Sequence, residues 1–149
     1  MSGSLDYSPA RVLLSALADL SLGAIGASQW ALYAAFMPDR PDDAISLYNT
    51  TGLTQGRIQI NGETQEQHGI QVRIRSATEE AGWAKARAIA VALDTSIRET
   101  EVSVASDAFI LHSTNRTSDV ISLGLESPTT KRRLYTINVT ASIRQLAGT

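Results

Sequence analysis

Gly69-Ile70-Gln71-Val72-Arg73-Ile74-Arg75-Ser76, followed by the Ala-rich run Glu79 to Leu93, decides how this chain is read. Ile70, Val72 and Ile74 alternate with Gln71, Arg73 and Arg75, the period-2 pattern of a strand with one buried face. Ser76 and Glu79 have the spacing of a capping box, in which the hydroxyl and the carboxylate each satisfy a free N–H at the start of a helix. The run from Glu79 to Leu93 has no Gly or Pro after Gly82 and predicts a helix over 79–93. Strand, cap and helix describe a scaffold, and no catalytic residue stands along them.

The same logic extends towards the N-terminus. Residues 1–7 are small and polar, a loose end. Ser8 is placed as an N-cap and Pro9 as a first helical residue. Val12, Leu13, Ala16, Leu17 and Leu20 then form one apolar stripe, with Gly23 as the expected stop. Trp30 to Phe36 reads as a strand, and Pro38 to Asp43, with two prolines, as a loop. Ala44–Tyr48 reads as a short strand closed by Asn49-Thr50-Thr51-Gly52. Arg57–Ile60 is a possible strand with Asn61-Gly62 as a hairpin tip, and Glu63–Gln67 is expected to be exposed.

Towards the C-terminus, Val102 and Val104 suggest a strand and Phe109–His112 another, with a turn at Thr114–Ser118. Val120–Leu125 is expected to point Ile121, Leu123 and Leu125 inward. The last strand is the cleanest: Tyr135, Ile137, Val139, Ala141 and Ile143 alternate with Thr136, Asn138, Thr140, Ser142 and Arg144. It is long enough to lie at the centre of a sheet or to reach into a partner. The expected fold class is α+β, a single domain over 1–149 with two helices packed on a mainly antiparallel sheet of five to seven strands. The short links after residue 104 favour hairpins over crossovers.

Composition narrows the function. The 149 residues are 43% hydrophobic, with a net charge of −2, and the pI is about 5.6. That balance argues against a dedicated nucleic-acid binder. No apolar run reaches the roughly 18 residues of a membrane span, and Leu13–Leu22, interrupted by Asp19, reads as a helix and not a signal peptide. The absence of cysteine excludes disulfides and thiolate metal sites and favours an intracellular setting. Lys occurs only at 85 and 131, the remaining basic side chains being Arg, which suits paired interfaces or reflects host composition.

Catalytic and metal patterns do not emerge. His68 and His112 lack zinc spacing. Asp39, Asp42 and Asp43 lack the order of a calcium-binding loop and read as a capped turn. Gly-x-Ser-x-Gly, Gly-x-Gly-x-x-Gly and the phosphate-loop pattern are missing. Catalytic, cofactor and metal residues are therefore expected to be none, and the chain is expected not to be an enzyme. Five arginines are candidates for interaction. Lys131-Arg132-Arg133 is a basic run that could touch phosphate, guard a sheet edge or serve an interface, and Arg116 could join it. Arg73 and Arg75 share a strand face and should repel unless an acid pairs with at least one, within the fold or across a subunit contact. A small ligand-binding or enzymatic domain using Asp39–Asp43 or His112, and a DNA-contacting protein using Arg116, Arg132 and Arg133, remain as other readings.

The order of motifs carries a resemblance. An N-terminal helix leads to a Trp/Tyr strand and Phe36-Met37-Pro38-Asp39, then to Pro41-Asp42-Asp43-Ala44-Ile45-Ser46-Leu47-Tyr48-Asn49-Thr50-Thr51-Gly52. The 69–76 strand and its Ala-rich helix ending in Ala92-Leu93-Asp94 follow. Late in the chain stand Phe109-Ile110-Leu111-His112-Ser113-Thr114 and Asn138-Val139-Thr140-Ala141-Ser142-Ile143. Over residues 8 to 145 this resembles the minor capsid and tail terminator (tail completion) proteins of long-tailed bacteriophages. The resemblance implies a non-enzymatic virion subunit, assembled in the host cytoplasm, that forms a ring, commonly a hexamer. It would cap the tail tube protein and face a head-completion or connector protein. DNA would pass through without specific binding, with no cofactor and no membrane. A neck connector or minor capsid protein is the alternative within that setting. The polar stretch 53–69 is longer than the family pattern leads one to expect.

Overall fold

A computed structural model describes residues 7–57, 64–126, 129 and 131–146, with the backbone alone described at 51–57 and 64–67. The elements are α1 (Pro9–Asp19), β1 (Ala31–Ala34), β2 (Ala44–Arg57), β3 (Thr64–Ser76), α2 (Glu79–Thr95), β4 (Arg98–Val104), β5 (Asp107–Arg116), β6 (Ile121–Leu125) and β7 (Arg133–Gln145). The sheet order is β1-β2-β3-β7-β5-β4, and β6 pairs with β7 beside β5. The class is α+β. The sheet is mixed where the sequence suggested a mainly antiparallel one: β1 runs parallel to β2, and the other pairings are antiparallel.

One face of the sheet is apolar across its strands. Register places Ile45, Ile74 and Tyr135 in one row and Leu47, Val72 and Ile137 in the next. Both helices lie on this face: α2 against β3, β5 and β7, and α1 against β1, β2 and β3. α1 also touches β4, at the other end of the strand order, so the sheet curls around it. Val12, Leu13, Leu17, Ile89, Leu93, Phe109 and Leu111 belong to the same core. Each such side chain contributes about 1.5–3 kcal/mol by leaving water.

Local chemistry set several boundaries. Ser8 caps α1, its Oγ accepting the Arg11 N–H at 3.3 Å, with Pro9 in the first turn. α1 stops at Asp19, before Gly23. Gly23 serves close approach instead, because an added Cβ would stand 2.6 Å from the Trp30 carbonyl. The capping box does not form. β3 runs through Ser76, which pairs with Arg133, so the helix starts later and Thr78 is the cap, accepting the Ala81 N–H at 3.3 Å. Ser76 accepts the Thr78 N–H instead.

Two expected loops are strand. β2 continues past Tyr48 to Arg57, and β3 begins at Thr64, which takes up most of Glu63–Gln67. The proposed tip Asn61-Gly62 lies outside the described residues, between Arg57 and Thr64, which pair. Thr114 to Arg116 likewise continue β5 because β7 runs beside them. β7 is central, between β3 on one side and β5 and β6 on the other.

β6 overturns its expectation. Ile121, Leu123 and Leu125 are 39%, 45% and 49% exposed. Ile121 pairs with Thr136, which belongs to the face away from the helices, and the register slips between Ser122 and Gly124. Leu125 pairs with Arg133 at the sheet margin. The bulge sends Ile121 and Leu125 to opposite faces of the sheet, and no layer among the described residues covers them.

Candidate assembly surface

The loop between β1 and β2 crosses the helix-free face and is held there by two arginines. Arg75, placed on that face by the β3 alternation, is 1% exposed. Its Nε donates to the Asp42 carbonyl at 3.2 Å, and its Nη2 donates to the carbonyls of Pro41 at 2.6 Å and Asp39 at 3.2 Å. Nη1 is 3.5 Å from Glu126. Arg132 donates from Nε to Glu126 at 2.7 Å and from Nη2 to the Asp39 carboxylate at 3.0 Å, with Asp42 at 3.3 Å. Burial works against the Arg132 cation, but the carboxylates of Asp39 and Glu126 outweigh it and raise its pKa further. The joint thus ties the loop to the end of β6 and the start of β7. Asp39 and Asp42 are partners of this cluster, and Asp43 accepts the Ala77 N–H at 3.0 Å and the Gln29 amide at 2.9 Å.

The remaining arginines differ. Arg73 is half-buried on the same face, its guanidinium carbon 5.7 Å from the centre of the Tyr48 ring and its Nε donating to Gln71 at 3.0 Å. Gln71 in turn donates to Asn138 at 3.2 Å. No carboxylate reaches Arg73 among the described residues. Arg133 is half-buried at the margin and donates to the Lys131 carbonyl at 3.0 Å. Arg116 stands on the helix side, bound to Asp94 and Asp119. The five candidates therefore occupy separate places. Arg75 and Arg132 come together inside the fold, Arg73 faces the open side, Arg133 flanks β6, and Arg116 sits at the end of α2.

The histidines do not converge. His112 Nδ1 lies 2.9 Å from Glu99 on the exposed β4–β5 pair, and His68 pairs with Ala141 on β3. Arg98 opens β4 and is exposed. Among the described residues no group of His, Asp and Glu could hold a metal ion. An open polar hollow lies beside Arg116, lined by Asp94, Thr114, Asn115, Thr117, Ser118 and Asp119. Among the described residues no helix is long and apolar enough to cross a membrane.

The surface stands out more for what it exposes. On the sheet face opposite the helices Tyr33, Tyr48, Gln71, Arg73 and Asn138 are half-buried and Ser46 and Thr136 are buried, with no helix above them among the described residues; Phe36, which is exposed, stacks edge-on to Tyr33 at 5.3 Å. Trp83 on α2 meets the Tyr135 ring at 6.1 Å and remains exposed. Sequence reasoning missed Asp39, Asp42 and Glu126 as arginine partners, and Trp83 and Phe36 as exposed aromatics. A signal was available in Arg75 itself, a cation beside Arg73 on one strand face, which calls for an acid or other acceptor.

No curated protein matches the chain. Among solved structures it is similar to a chain of the "virion of native gene transfer agent (GTA) particle", at 14% identity and a TM-score of 0.45, over 89% of this chain and 84% of that one. Residues 16–114, about two thirds of the chain, match the family described as "bacteriophage tail terminator protein". That span runs from the middle of α1 into β5 and leaves out β6 and the central strand β7. With the motif order and this match agreeing, the chain belongs to the bacteriophage tail terminator family.

Proposed function

We infer that this chain ends the phage tail. Copies of it join as a ring, a hexamer, on the last ring of tail tube protein, halt its polymerisation and present a surface to a head-completion or connector protein. The subunit is a single domain over 1–149, non-enzymatic, without a cofactor, and part of the virion after assembly in the host cytoplasm. DNA passes through the ring without specific binding. The observation that carries this reading is the family match over residues 16–114. The partly covered sheet face opposite the helices and the exposed apolar residues of β6 support it, since a ring subunit must bury surface against neighbours. Arg73, Arg116 and Arg133, which retain exposure, are the arginines available to such contacts.

Removing the gene from the phage and imaging the particles tests this. The expected result is tails of irregular or excess length without heads. Tails of normal length joined to heads would overturn it, and normal-length tails without heads would assign the chain to the neck instead.

A further inference from the structure

The exposed large apolar side chains of the described residues fall, Val91 apart, into two groups on opposite edges of the sheet. One belongs to the β1 edge. Leu20 and Ile25 stand in the link from α1, Ile25 62% exposed, and Phe36 follows β1. The other belongs to β6, where Trp83 of α2 joins Ile121, Leu123 and Leu125. Trp83 packs on Tyr135, and Tyr135 shares a face with Arg133, the partner of Leu125. The register puts both groups at one level. Ala31, Ala44, Arg75, Leu134 and Gly124 pair in a single row from β1 to β6, and Ala24 bridges Ala31 at its outer end. Ile25, next to Ala24, and Leu123, next to Gly124, therefore mark the two ends of one row across the sheet.

The link that carries Ile25 is held in shape. Ala24 donates to the Trp30 carbonyl at 3.2 Å and accepts the Leu32 N–H at 3.1 Å. Lys85 Nζ, 5.1 Å from the centre of the Trp30 ring, donates to the Leu22 carbonyl at 3.0 Å. Ser21, Gly26 and Trp30 turn the chain with φ of 62°, 76° and 55°. Leu20 to Trp30 carries no charge, and neither does Ile121 to Leu125. Bringing the two groups together strands no charge, and a link already ordered gives up little entropy on contact.

We propose that neighbouring subunits of the ring meet head to tail, the Ile25 link of one copy against β6 and Trp83 of the next. The proposal rests on the ring reading and adds the two surfaces that join. Two unlike apolar groups at opposite ends of one row select a second copy as the occupant. They suit a heterologous contact, which repeats around a closed ring and covers both groups on every subunit. A two-fold contact would use one group twice and leave the other in water. The flanking charges agree. Asp19, beside Leu20, is exposed and has no ion pair among the described residues, and the same holds for Lys131, near the end of β6. Arg133 donates to the Lys131 carbonyl and pairs with no acid among the described residues. Glu79 and Glu80 stand on that side too, in the first turn of α2, where the helix N-terminus favours acids.

The chain has no cysteine, so introduced thiols report the contact. Ile25→Cys, Leu123→Cys and the double variant are each supplied to a phage lacking the gene, and isolated tails are treated with a short bismaleimide and run on denaturing gels. The double variant should give a ladder of linked copies. A mixture of the single variants should give pairs, and each single variant alone should stay unlinked. Ile25→Asp, at an exposed position, should leave the circular dichroism of the purified chain unchanged and lower the plaque titre about tenfold or more. Tails of normal length that carry the double variant without a ladder overturn the proposal and leave the ring reading intact. Self-linking by either single variant, or an Ile25→Asp phage that plates like the parent, does the same. Tails that lack the chain overturn both.

Discussion

Arg116 on β5 grips Asp94, in the last turn of α2, through two nitrogens: Nε is 2.9 Å from Oδ1 and Nη2 is 2.8 Å from Oδ2. This fork joins helix to sheet where Thr114 Oγ1 also donates to the Leu93 carbonyl at 2.6 Å. Both side chains are partly exposed, 25% for Arg116 and 42% for Asp94. Solvent therefore screens the pair, and bidentate geometry places it near the top of the surface range. A double-mutant cycle of Arg116→Ala and Asp94→Ala in urea unfolding should return a coupling of about 0.5–1 kcal/mol. A coupling indistinguishable from zero would show that the fork is not held in solution.

Two carboxylates make stability fall in acid. The Arg116 hydrogen bond lowers the pKa of Asp94. Burial raises that of Asp43, but hydrogen bonds from Gln29, the Ala77 N–H and Ser76 outweigh it and leave the pKa lowered. A folded pKa below the unfolded one means stability that is fully present above the ordinary carboxylate value of about 3.9 and is lost as pH falls through the folded value. Thermal unfolding between about pH 5 and pH 2.5 should show the parent losing stability more steeply than Asp43→Asn/Asp94→Asn. Equal slopes would remove both groups from the acid response.

Arg75 should be needed for folding. Its guanidinium serves three loop carbonyls from a buried position. Arg75→Met would strand those carbonyls and leave Glu126 and Arg132 to rearrange, a loss of about 3 kcal/mol or more. Arg75→Lys should also fail to restore the parent, because an ammonium lacks the planar fork. Arg98→Glu, on an exposed edge, should stay within about 0.5 kcal/mol. Denaturant midpoints check the order, and an Arg75→Met as stable as Arg98→Glu would contradict the joint described here.

Gly82 lies in α2 against β7. A Cβ there would meet Tyr135 Cε2 at 2.5 Å and Ser76 Cβ at 2.9 Å. Alanine should add about 1 kcal/mol of helix propensity. Overpacking of a well-filled contact costs about 1–3 kcal/mol. The expected net result is destabilisation of Gly82→Ala by up to about 2 kcal/mol, measured by thermal unfolding, and a gain in stability would mean that the helix can shift away from the sheet.

Arg73 is the arginine to test for assembly. It faces the open side with Tyr48 and has no acid beside it among the described residues. Arg73→Glu should fold, losing about 0.5–1 kcal/mol of cation–π contact. It should nonetheless complement a phage lacking the gene less well than Arg98→Glu, scored by tail length and head joining. Equal complementation would leave Arg73 merely solvated.

The alternation in β3 and β7, the Ser8-Pro9 start of α1 and the Ala-rich α2 were legible because period and capping are properties of neighbouring residues. So were the Pro38–Asp43 loop and the α+β class, and the motif order led to the family. What lay beyond reach depended on residues far apart in the chain. Ser76 could not be both a strand partner of Arg133 and a helix cap, and only the sheet decided which. β1 lies parallel to β2 because of where the chain crosses, which no local pattern records. Arg75 and Arg132 are separated by 57 positions from each other and share the Glu126 carboxylate only when β3 and β7 lie side by side. β6 shows the limit most plainly: its alternation promised a buried face, and burial belongs to whatever stands opposite a strand, which for β6 is no element among the described residues. Period is written in the sequence; the covering layer is supplied by tertiary packing.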